Sequence, residues 1–243
     1  MTRFEMGYGL VQVFLPPLPK IVRSLAAQAI GRLGRKANLL DVGGRNSHYT
    51  IGLSANVTIS DLPRTPSVQN TLNLGITDEM ELRTLRRRSN VCRVVYDDMT
   101  ASALLDASYD IVLALEVLEH VQEDAKFIKG VHRVLSHGGV LVMTTPNGDS
   151  VPNHNADHKR HYHRSDLECL LKRTFPSVRV WYGIAGGRFR GLGLRSWSWR
   201  KPTQTLLSML GNLVNTWQSH QHRLSERSVG TRHLFAVARK NLT

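Results

Sequence analysis

Residues 109–121 read YDIVLALEVLEHV, and this stretch decides the fold. Apolar residues follow one another from Ile111 to Leu115 without the polar alternation of a half-buried strand. Such a run is typical of a strand that is covered on both faces of a sheet. Polar residues return only at Glu116, so the strand is expected to end there. A strand of this kind predicts a parallel sheet with helices on both sides.

Short apolar runs and helical periodicity alternate on both sides of this strand. Apolar spacing predicts helices at 19–33, 47–53, 121–135 and 166–174. Six further apolar runs predict strands at 37–42, 56–60, 91–96, 139–145, 178–182 and 233–238. Strands that alternate with crossover helices form a parallel sheet. The predicted fold class is therefore α/β, with a mostly parallel seven-stranded sheet and helices on both faces.

The distribution of charge divides the chain into a core and two arms. Residues 1–36 carry a net charge of +5 and residues 183–243 a net charge of +9, whereas residues 37–182 carry −1. We predict a basic helical arm at 1–36, a core at 37–182, a basic helical insertion at 183–230 that caps the core, and a final core strand with a tail at 231–243. Basic arms favour nucleic acid or anionic lipid headgroups, but they also keep a protein soluble.

An apolar stripe at helical spacing lies in the insertion, after the basic and Trp-rich segment 196–201. It consists of Leu206, Leu207, Leu210, Leu213, Val214 and Trp217. We expect this stripe to pack on the core or on a second subunit, with membrane contact as the alternative. The longest uncharged stretch near the N-terminus, 6–19, is too short and too rich in proline to be a spanning helix.

The two cysteines, Cys92 and Cys169, are too few for a disulfide framework or a four-thiolate zinc site. Each lies within a predicted strand or helix, so we expect both to be small buried residues. A reducing compartment follows from this cysteine usage. The expected location is the cytoplasm, with peripheral association with a membrane left open.

Carboxylates stand at the ends of consecutive strands, where ligands of an open parallel sheet bind. They are Asp41 before the turn Gly43-Gly44, Asp61, the pair Asp97-Asp98, and Glu116. An acid after the second strand can accept hydrogen bonds from both ribose hydroxyls, and one after the third strand can accept from an adenine amino group. Because so many acids would repel a pyrophosphate, a cationic adenosyl ligand is favoured over a dinucleotide.

Three ordered motifs carry a family resemblance: ALEVLEHV at 114–121, RVLSHGG at 133–139 and MTTPN at 143–147. Together they resemble the class I S-adenosylmethionine-dependent methyltransferases, and among these the small-molecule branch that includes enzymes of ubiquinone and menaquinone biosynthesis. The resemblance covers 37–182 and the final strand. It implies a Rossmann-like fold and S-adenosyl-L-methionine as the cofactor. By position it implies cofactor contacts from Asp41, Gly43, Gly44, Asp61, Asp98, Met99 and Glu116.

The loop after the first strand departs from the family pattern, which is acid-x-Gly-x-Gly-x-Gly. Arg45 and Ser47 occupy the second and third glycine positions, and Gly44 occupies a position that is usually not glycine. Two interpretations stay open. The turn is shifted, with Ser47 capping the following helix, or the cofactor pocket is impaired.

Methyl transfer from a sulfonium is an in-line displacement that depends on holding the acceptor close to the methyl group. A hydroxyl acceptor must also lose a proton, and His120, just past the fourth strand, is the candidate catalytic base. The segment 157–162 resembles the family segment that covers the acceptor, which implies substrate contacts from His158, His161 and Tyr162. The histidines of this region match no defined zinc spacing, so no metal site is predicted.

The function favoured by the sequence is methylation of a small-molecule acceptor, with oxygen as the methylated atom. A lipid-linked acceptor and a sugar acceptor fit equally. One alternative is an RNA methyltransferase that uses the basic arms to hold its substrate. The other is a non-catalytic binding module of the same fold. The oligomeric state stays open.

Overall fold

The structure, a computed structural model, describes residues 1–64 and 75–242. Its strands are β1 (Ala37–Val42), β2 (Ala55–Asp61), β3 (Val91–Tyr96), β4 (Tyr109–Leu115), β5 (Leu135–Pro146), β6 (Ser177–Ala185) and β7 (Thr231–Arg239). They form one sheet in the order β3-β2-β1-β4-β5-β7-β6. The strands from β1 to β5 pair in parallel, and β7 runs antiparallel to both β5 and β6. The predicted mostly parallel α/β sheet is confirmed.

The described residues contain seven α-helices, which cover the sheet on both sides. They are α1 (Arg3–Val11), α2 (Pro17–Gly31), α3 (Asp78–Arg87), α4 (Asp124–Val134), α5 (Arg164–Lys172), α6 (Arg188–Gly193) and α7 (Pro202–Ser219). The apolar faces of α4 and α5 pack on one side of the sheet. The apolar face of α2 packs on the other side. Within 1–64 and 75–242, no helix has both the length and the apolarity to cross a bilayer.

β4 has the environment that its continuous apolar run predicts. Ile111 and Leu113 belong to the cluster on the α2 side of the sheet. Val112 and Ala114 belong to the cluster on the α4 side. The chain leaves this core at Glu116, whose φ of +52° lies in the left-handed region. A non-glycine residue in this conformation costs about 1–3 kcal/mol and is often found at a functional site.

Two local predictions are wrong. Residues 47–53 do not form a helix: Gly44–Asn46 form a 3-10 turn, and Ser47 is extended. Cys92 and Cys169 are exposed rather than buried. Cys92 lies on β3, which is an edge strand, and Cys169 lies on a solvent-facing position of α5.

Candidate functional site

A cavity of about 430 Å³ opens where β1, β2, β3 and β4 end. This volume is in the range of small-molecule sites, about 300–1,000 Å³. The wall includes the predicted catalytic residue His120. It also includes five of the predicted cofactor-binding residues: Gly43, Asp61, Asp98, Met99 and Glu116. The parallel sheet therefore brings together predicted site residues that lie up to 77 positions apart in the sequence, from Gly43 to His120.

Asp41 and Gly44, from which the sequence predicts cofactor contacts, lie beneath the loop and do not belong to the cavity wall. The buried Asp41 carboxylate accepts hydrogen bonds from the Tyr49 hydroxyl at 2.8 Å and from the Thr50 hydroxyl at 3.3 Å. A Cβ on Gly44 would lie 2.5 Å from Cγ of Asp41. Both residues therefore support the loop from below.

The buried carboxyl of Asp41 makes stability depend on pH. Burial raises its pKa from 3.8 to about 6, although hydrogen bonds from Ser47 and Tyr49 and the charge of Arg88 oppose this shift. A raised folded-state pKa means that the folded protein holds the proton more tightly than the unfolded chain. The stabilisation from Asp41 is therefore complete below pH 3.8 and is lost as the pH rises through about 6.

We expect the Asp41→Asn variant to lack this pH dependence. The free energy of unfolding of the variant, relative to that of the wild type, should rise by roughly 2 kcal/mol between pH 4 and pH 7. Urea unfolding at four pH values in this window measures the difference. The exposed residue Glu79 supplies the control variant, Glu79→Gln. Parallel profiles for the wild type and Asp41→Asn would contradict the assignment.

The loop that departs from the family pattern leaves the cavity open. Gly43 has a φ of +68°, and a Cβ there would lie 2.7 Å from Cγ2 of Val117, so glycine is required. Arg45 lies in the cavity wall, and its Nη1 donates to the carbonyl of Gly75 at 3.0 Å. The buried Ser47 hydroxyl is 3.1 Å from that of Thr50. The geometry is that of a shifted turn, with Ser47 bonded below the loop rather than capping a helix.

Three aspartates line the side of the cavity formed by β2 and β3. Burial raises the pKa of Asp61, while the hydrogen bond from the main chain of Leu62 and the charge of Arg45 oppose the shift. Asp98 Oδ1 accepts hydrogen bonds from the backbone and hydroxyl of Thr100, at 2.9 and 2.7 Å.

Asp97 also lines the cavity, and the sequence prediction left it out. Its Oδ1 accepts from the backbone N–H of Ala103 at 2.9 Å. Its Oδ2 is buried and has no hydrogen-bond partner within the described parts of the chain. An unpaired buried acceptor in a cavity wall is suited to an N–H or O–H group of a ligand. The acidic pair after β3 was visible in the sequence, but the pattern did not show which member was unpaired.

Met99 closes the same side of the cavity and is 3% exposed. Its carbonyl packs directly on α4 at Gly130, where a Cβ would lie 2.1 Å from the Met99 oxygen. Gly130 therefore sets the position of the loop that carries the cavity's Asp97 and Asp98.

The Glu116 carboxylate is held at two points. Its Oε1 accepts from the Thr144 hydroxyl at 2.8 Å, and its Oε2 is 3.2 Å from Nδ1 of His233. Burial alone would raise the pKa of Glu116, but His233 and the hydrogen bond from Thr144 hold it below its usual value. Glu116 is thus an ionised carboxylate in the cavity wall. No motif in the sequence indicated the contribution of His233, which comes from β7.

Three histidines form a chain of contacts beside the cavity. Nδ1 of His161 is 2.9 Å from the carbonyl of Val151, and Nε2 of His161 is 2.8 Å from Nδ1 of His158. A carbonyl can only accept, so His161 carries its proton on Nδ1 and accepts from His158 through Nε2. His120 Nδ1 likewise donates to the carbonyl of Asp157 at 3.1 Å. In the neutral rings, the lone pairs on Nε2 of His120 and His158 remain available.

Glu119 completes this group, and sequence reasoning missed it. It is 1% exposed, and its Oε2 accepts from the Thr145 hydroxyl at 3.2 Å, whereas its Oε1 has no partner among the described residues. Burial and the neighbouring Glu116 raise the pKa of Glu119 well above its usual value. Ligand atoms of Glu119, His120 and His158 lie within 4.8 Å of one another. Such a group can take a proton from a substrate hydroxyl or hold a divalent cation.

Tyr162 and His161, from which substrate contacts are predicted, have partners within the protein. Tyr162 is 5% exposed, and its hydroxyl donates to Asp124 at 2.9 Å, so it belongs to the core. Both ring nitrogens of His161 are engaged, so this residue orients His158. Within the described residues, 1–64 and 75–242, His158 is the only one of the three predicted substrate-binding residues that lies beside His120 with a ring nitrogen not engaged by a partner.

Comparison with known proteins gives a family match over the part of the chain that supplies most of the cavity wall. Residues 40–143 match the family model of a methyltransferase domain. A probable S-adenosylmethionine-dependent methyltransferase of Mycolicibacterium smegmatis is 31% identical over 123 residues, which are 48% of this chain and 46% of that protein. One of Mycobacterium tuberculosis is 32% identical over 125 residues, 49% of this chain and 45% of that protein. The matches thus span about half the length of these relatives.

Solved structures share the fold at low sequence identity. A Thermotoga maritima protein described as a possible histamine N-methyltransferase aligns with a TM-score of 0.56 and 14% identity, covering 98% of this chain and 97% of that one. The 1,6-didemethyltoxoflavin N1-methyltransferase of Burkholderia thailandensis, solved with S-adenosylhomocysteine, aligns with a TM-score of 0.52 and 19% identity, covering 88% and 76%. Residues 40–143 therefore form a methyltransferase domain that is similar to those of S-adenosylmethionine-dependent methyltransferases, on a fold that the solved structures share.

Proposed function

We propose that the protein transfers the methyl group of S-adenosylmethionine to an oxygen atom of a small-molecule acceptor. The observation that carries this proposal is the cavity, in whose wall the acidic strand ends and His120 lie side by side. Its residues fit an adenosyl ligand. Gly43 admits close approach of a ligand to the backbone, and the unpaired Oδ2 of Asp97 is an acceptor without a donor.

S-adenosylmethionine, when bound, supplies an electrophilic methyl group on a positively charged sulfur. The residues of this chain hold it and orient it. Asp61 would accept hydrogen bonds from the ribose hydroxyls, and Asp97 or Asp98 would accept from the adenine amino group. The ionised Glu116 would favour the cationic part of the ligand. The apolar side chains of Val117, Met99 and Phe127 in the wall exclude water, which would compete as an acceptor.

His120 is the group that would take the proton of an acceptor hydroxyl. Its Nδ1–H donates to Asp157, which leaves the Nε2 lone pair free to accept a proton as the oxygen forms its bond to the methyl carbon. One carboxyl oxygen of Glu119 lies within 4.8 Å of a ring nitrogen of His120, so this carboxyl would be the neighbour of the imidazolium that results. His158 would contact the acceptor from the neighbouring position.

The two alternatives have weaker support. A non-catalytic module was suggested by Arg45 in a glycine position, but the guanidinium donates to Gly75 and leaves the cavity beside it open. An RNA methyltransferase would use the basic arms, and its binding would weaken steeply with salt.

Two exposed free thiols fit a reducing compartment, which supports the proposal that the enzyme works in the cytoplasm.

Calorimetry with S-adenosylhomocysteine tests the proposal, and micromolar binding by the wild type is the expected result. In the Asp61→Ala and Asp98→Ala variants we expect binding to weaken by roughly 1–3 kcal/mol for each lost hydrogen-bond partner. Asp97→Ala should show the same loss if Asp97 rather than Asp98 faces the adenine. Glu79→Ala, on the exposed face of α3, is the control. Wild-type affinity in all three aspartate variants would contradict the assigned cavity.

The acceptor class is tested by turnover with phenolic, sugar and lipid-linked hydroxyl compounds. Methylation of any of these at oxygen supports the proposal, whereas transfer to RNA alone overturns it. The same assays run with and without a chelator show whether Glu119, His120 and His158 work as proton acceptors or as ligands of a divalent cation. Full activity after chelation is expected for the proton-acceptor role.

A further inference from the structure

Helix α7 buries its polar side and exposes its apolar side, which is the reverse of the usual orientation of an amphipathic helix. Its buried residues are small or polar: Ser208, Gly211, Asn212 and Asn215. Its exposed residues include four large apolar side chains, with exposed fractions of 58% for Leu206, 49% for Leu207, 50% for Leu210 and 68% for Trp217. These four residues are named the α7 face below. Four of the six residues of the predicted stripe are thus exposed and do not pack on the core, whereas packing on a second subunit and membrane contact, the other expectations, stay predictions.

Hydrogen bonds on the buried side hold the helix in this orientation. Asn212 Nδ2 donates to the carbonyls of Phe14 and Gly193, both at 3.0 Å. Asn215 Nδ2 donates to the carbonyl of Ala185 at 2.8 Å, and Ser208 donates to Gly193 at 2.9 Å. Turning the α7 face inward would leave these buried amide and carbonyl groups unpaired, which is costly. The exposure of the apolar side is therefore built into the packing of the cap.

Basic residues and a second tryptophan surround the α7 face. Residues 188–219 contain five Lys and Arg and no Asp or Glu. Arg195, Arg200 and Lys201 are exposed in the segment that leads into α7, and Trp199 in the same segment is fully exposed. The N-terminal arm adds Val13, 56% exposed, from the turn next to the carbonyl that Asn212 binds. Apolar side chains flanked by positive charge and tryptophan are typical of a surface that lies in a membrane interface.

We propose that the α7 face docks the protein on the surface of an anionic phospholipid bilayer. The apolar side chains enter the boundary between headgroups and acyl chains, and Arg200 and Lys201 pair with lipid phosphates. Charge complementarity favours this occupant over a second copy of the chain, because the surrounding arms are themselves strongly basic and would repel each other. Single-stranded RNA is less favoured, because three of the four side chains of the α7 face are leucines, which offer no flat rings on which successive bases stack.

The position of this face connects it to the cavity. α6 and α7 pack together through Gly193 and Gly211, where a Cβ on Gly211 would lie 3.0 Å from the Gly193 nitrogen. Arg190 on α6 lies close enough to Glu116 for the charge of Glu116 to oppose the lowering of the Arg190 pKa by burial. A bilayer held at α7 is thus next to the helix that carries Arg190, the residue that interacts with Glu116 of the cavity wall. This arrangement suits an acceptor with a lipid tail.

Cosedimentation with vesicles tests the docking without any catalytic readout. The wild-type protein should bind vesicles of phosphatidylcholine and phosphatidylglycerol in a 3:1 ratio, and bind pure phosphatidylcholine at least tenfold more weakly. The double variant Leu206→Gln/Leu210→Gln and the double variant Arg200→Gln/Lys201→Gln should each weaken binding to the anionic vesicles roughly tenfold or more. Unchanged affinity for S-adenosylhomocysteine and unchanged thermal unfolding show that these variants are folded.

Helix α3 offers matched controls, because it is also exposed, apolar in part and basic. The variants Leu82→Gln/Leu85→Gln and Arg83→Gln/Arg86→Gln should bind vesicles as the wild type does. Absence of vesicle binding by the wild type, or equal losses in the α3 and α7 variants, overturns the proposal. It is also overturned if light scattering shows a wild-type dimer that Leu206→Gln/Leu210→Gln converts to a monomer. Binding to a uridine oligomer that only Arg200→Gln/Lys201→Gln weakens would assign the face to RNA. None of these outcomes affects the proposed methyl transfer.

Discussion

Replacing His120 with alanine is expected to lower kcat by roughly 10²–10⁴-fold, the range usual for loss of a general base. The reason is geometric: His120 lies in the cavity wall with its Nδ1 bonded to Asp157 and its Nε2 free. Affinity for S-adenosylhomocysteine should stay close to that of the wild type, because the residues assigned to the nucleoside are untouched. Steady-state kinetics with the identified acceptor, together with calorimetry, separates the two quantities.

A matched control for this variant is His137→Ala. His137 is exposed near the start of β5, whereas the cavity lies at the other end of the strands. Its removal should leave kcat unchanged. Retention of full turnover by His120→Ala would show that the acceptor needs no proton acceptor at this position. The acceptor in the proposed reaction would then be a nucleophile that needs no deprotonation rather than a hydroxyl.

The second large effect is expected from Gly130→Ala in the middle of α4. Alanine normally stabilises a helix by about 1 kcal/mol relative to glycine. Here the new Cβ would lie 2.1 Å from the carbonyl oxygen of Met99, so the loop must move away from the helix. We expect net destabilisation of roughly 1–3 kcal/mol and weaker binding of S-adenosylhomocysteine, since the same loop carries Asp97 and Asp98.

The control for this variant is Gly9→Ala in α1, a helical glycine whose added Cβ would have no described atom within 4 Å other than its chain neighbours and the backbone of its own helix. That change should be neutral or stabilising. Urea unfolding gives the stability of both variants, and calorimetry gives their affinity for S-adenosylhomocysteine. If Gly130→Ala were as stable as Gly9→Ala, the close approach of Met99 to α4 would be wrong.

The strands could be predicted where an apolar run is bounded by polar residues. β1, β3 and β4 have the predicted bounds for this reason. β5 begins earlier than predicted, because Leu135 pairs with Tyr109 and enters the sheet before the glycines that were interpreted as a helix end. Pairing across the sheet is a long-range property, and a local stop signal does not contain it.

The site was predictable as a set of strand ends but not in the direction of each side chain. Asp41 and Asp61 both lie at the carboxyl end of a parallel strand, as expected for site residues. Asp41 is nevertheless buried below the loop, where Tyr49 and Thr50 bind its carboxylate. Glu119 was visible in the sequence, but its unpaired oxygen depends on packing against Thr145 from the next strand. These contacts are set by the register of neighbouring strands, which the local pattern does not determine.

Helix α7 shows the same limit for a different reason. Periodicity identified its apolar side correctly, but it did not show that the polar side is buried. Ser208 and Asn212 are buried instead, because they satisfy carbonyl groups of the preceding segment and the N-terminal arm. The partners are 15 and 198 positions away in the chain, and nothing in the local spacing announces them.

The antiparallel strand β7 has a consequence for synthesis on the ribosome. β7 lies between β5 and β6, so β6 has no neighbour in the sheet until residues 231–239 have emerged from the exit tunnel. The nascent chain can assemble the five parallel strands early, but the backbone groups of β6 stay unpaired until β7 is available. A pause or a premature stop before residue 231 would expose the edge of β5 as well, and would make the incomplete chain a target for chaperones.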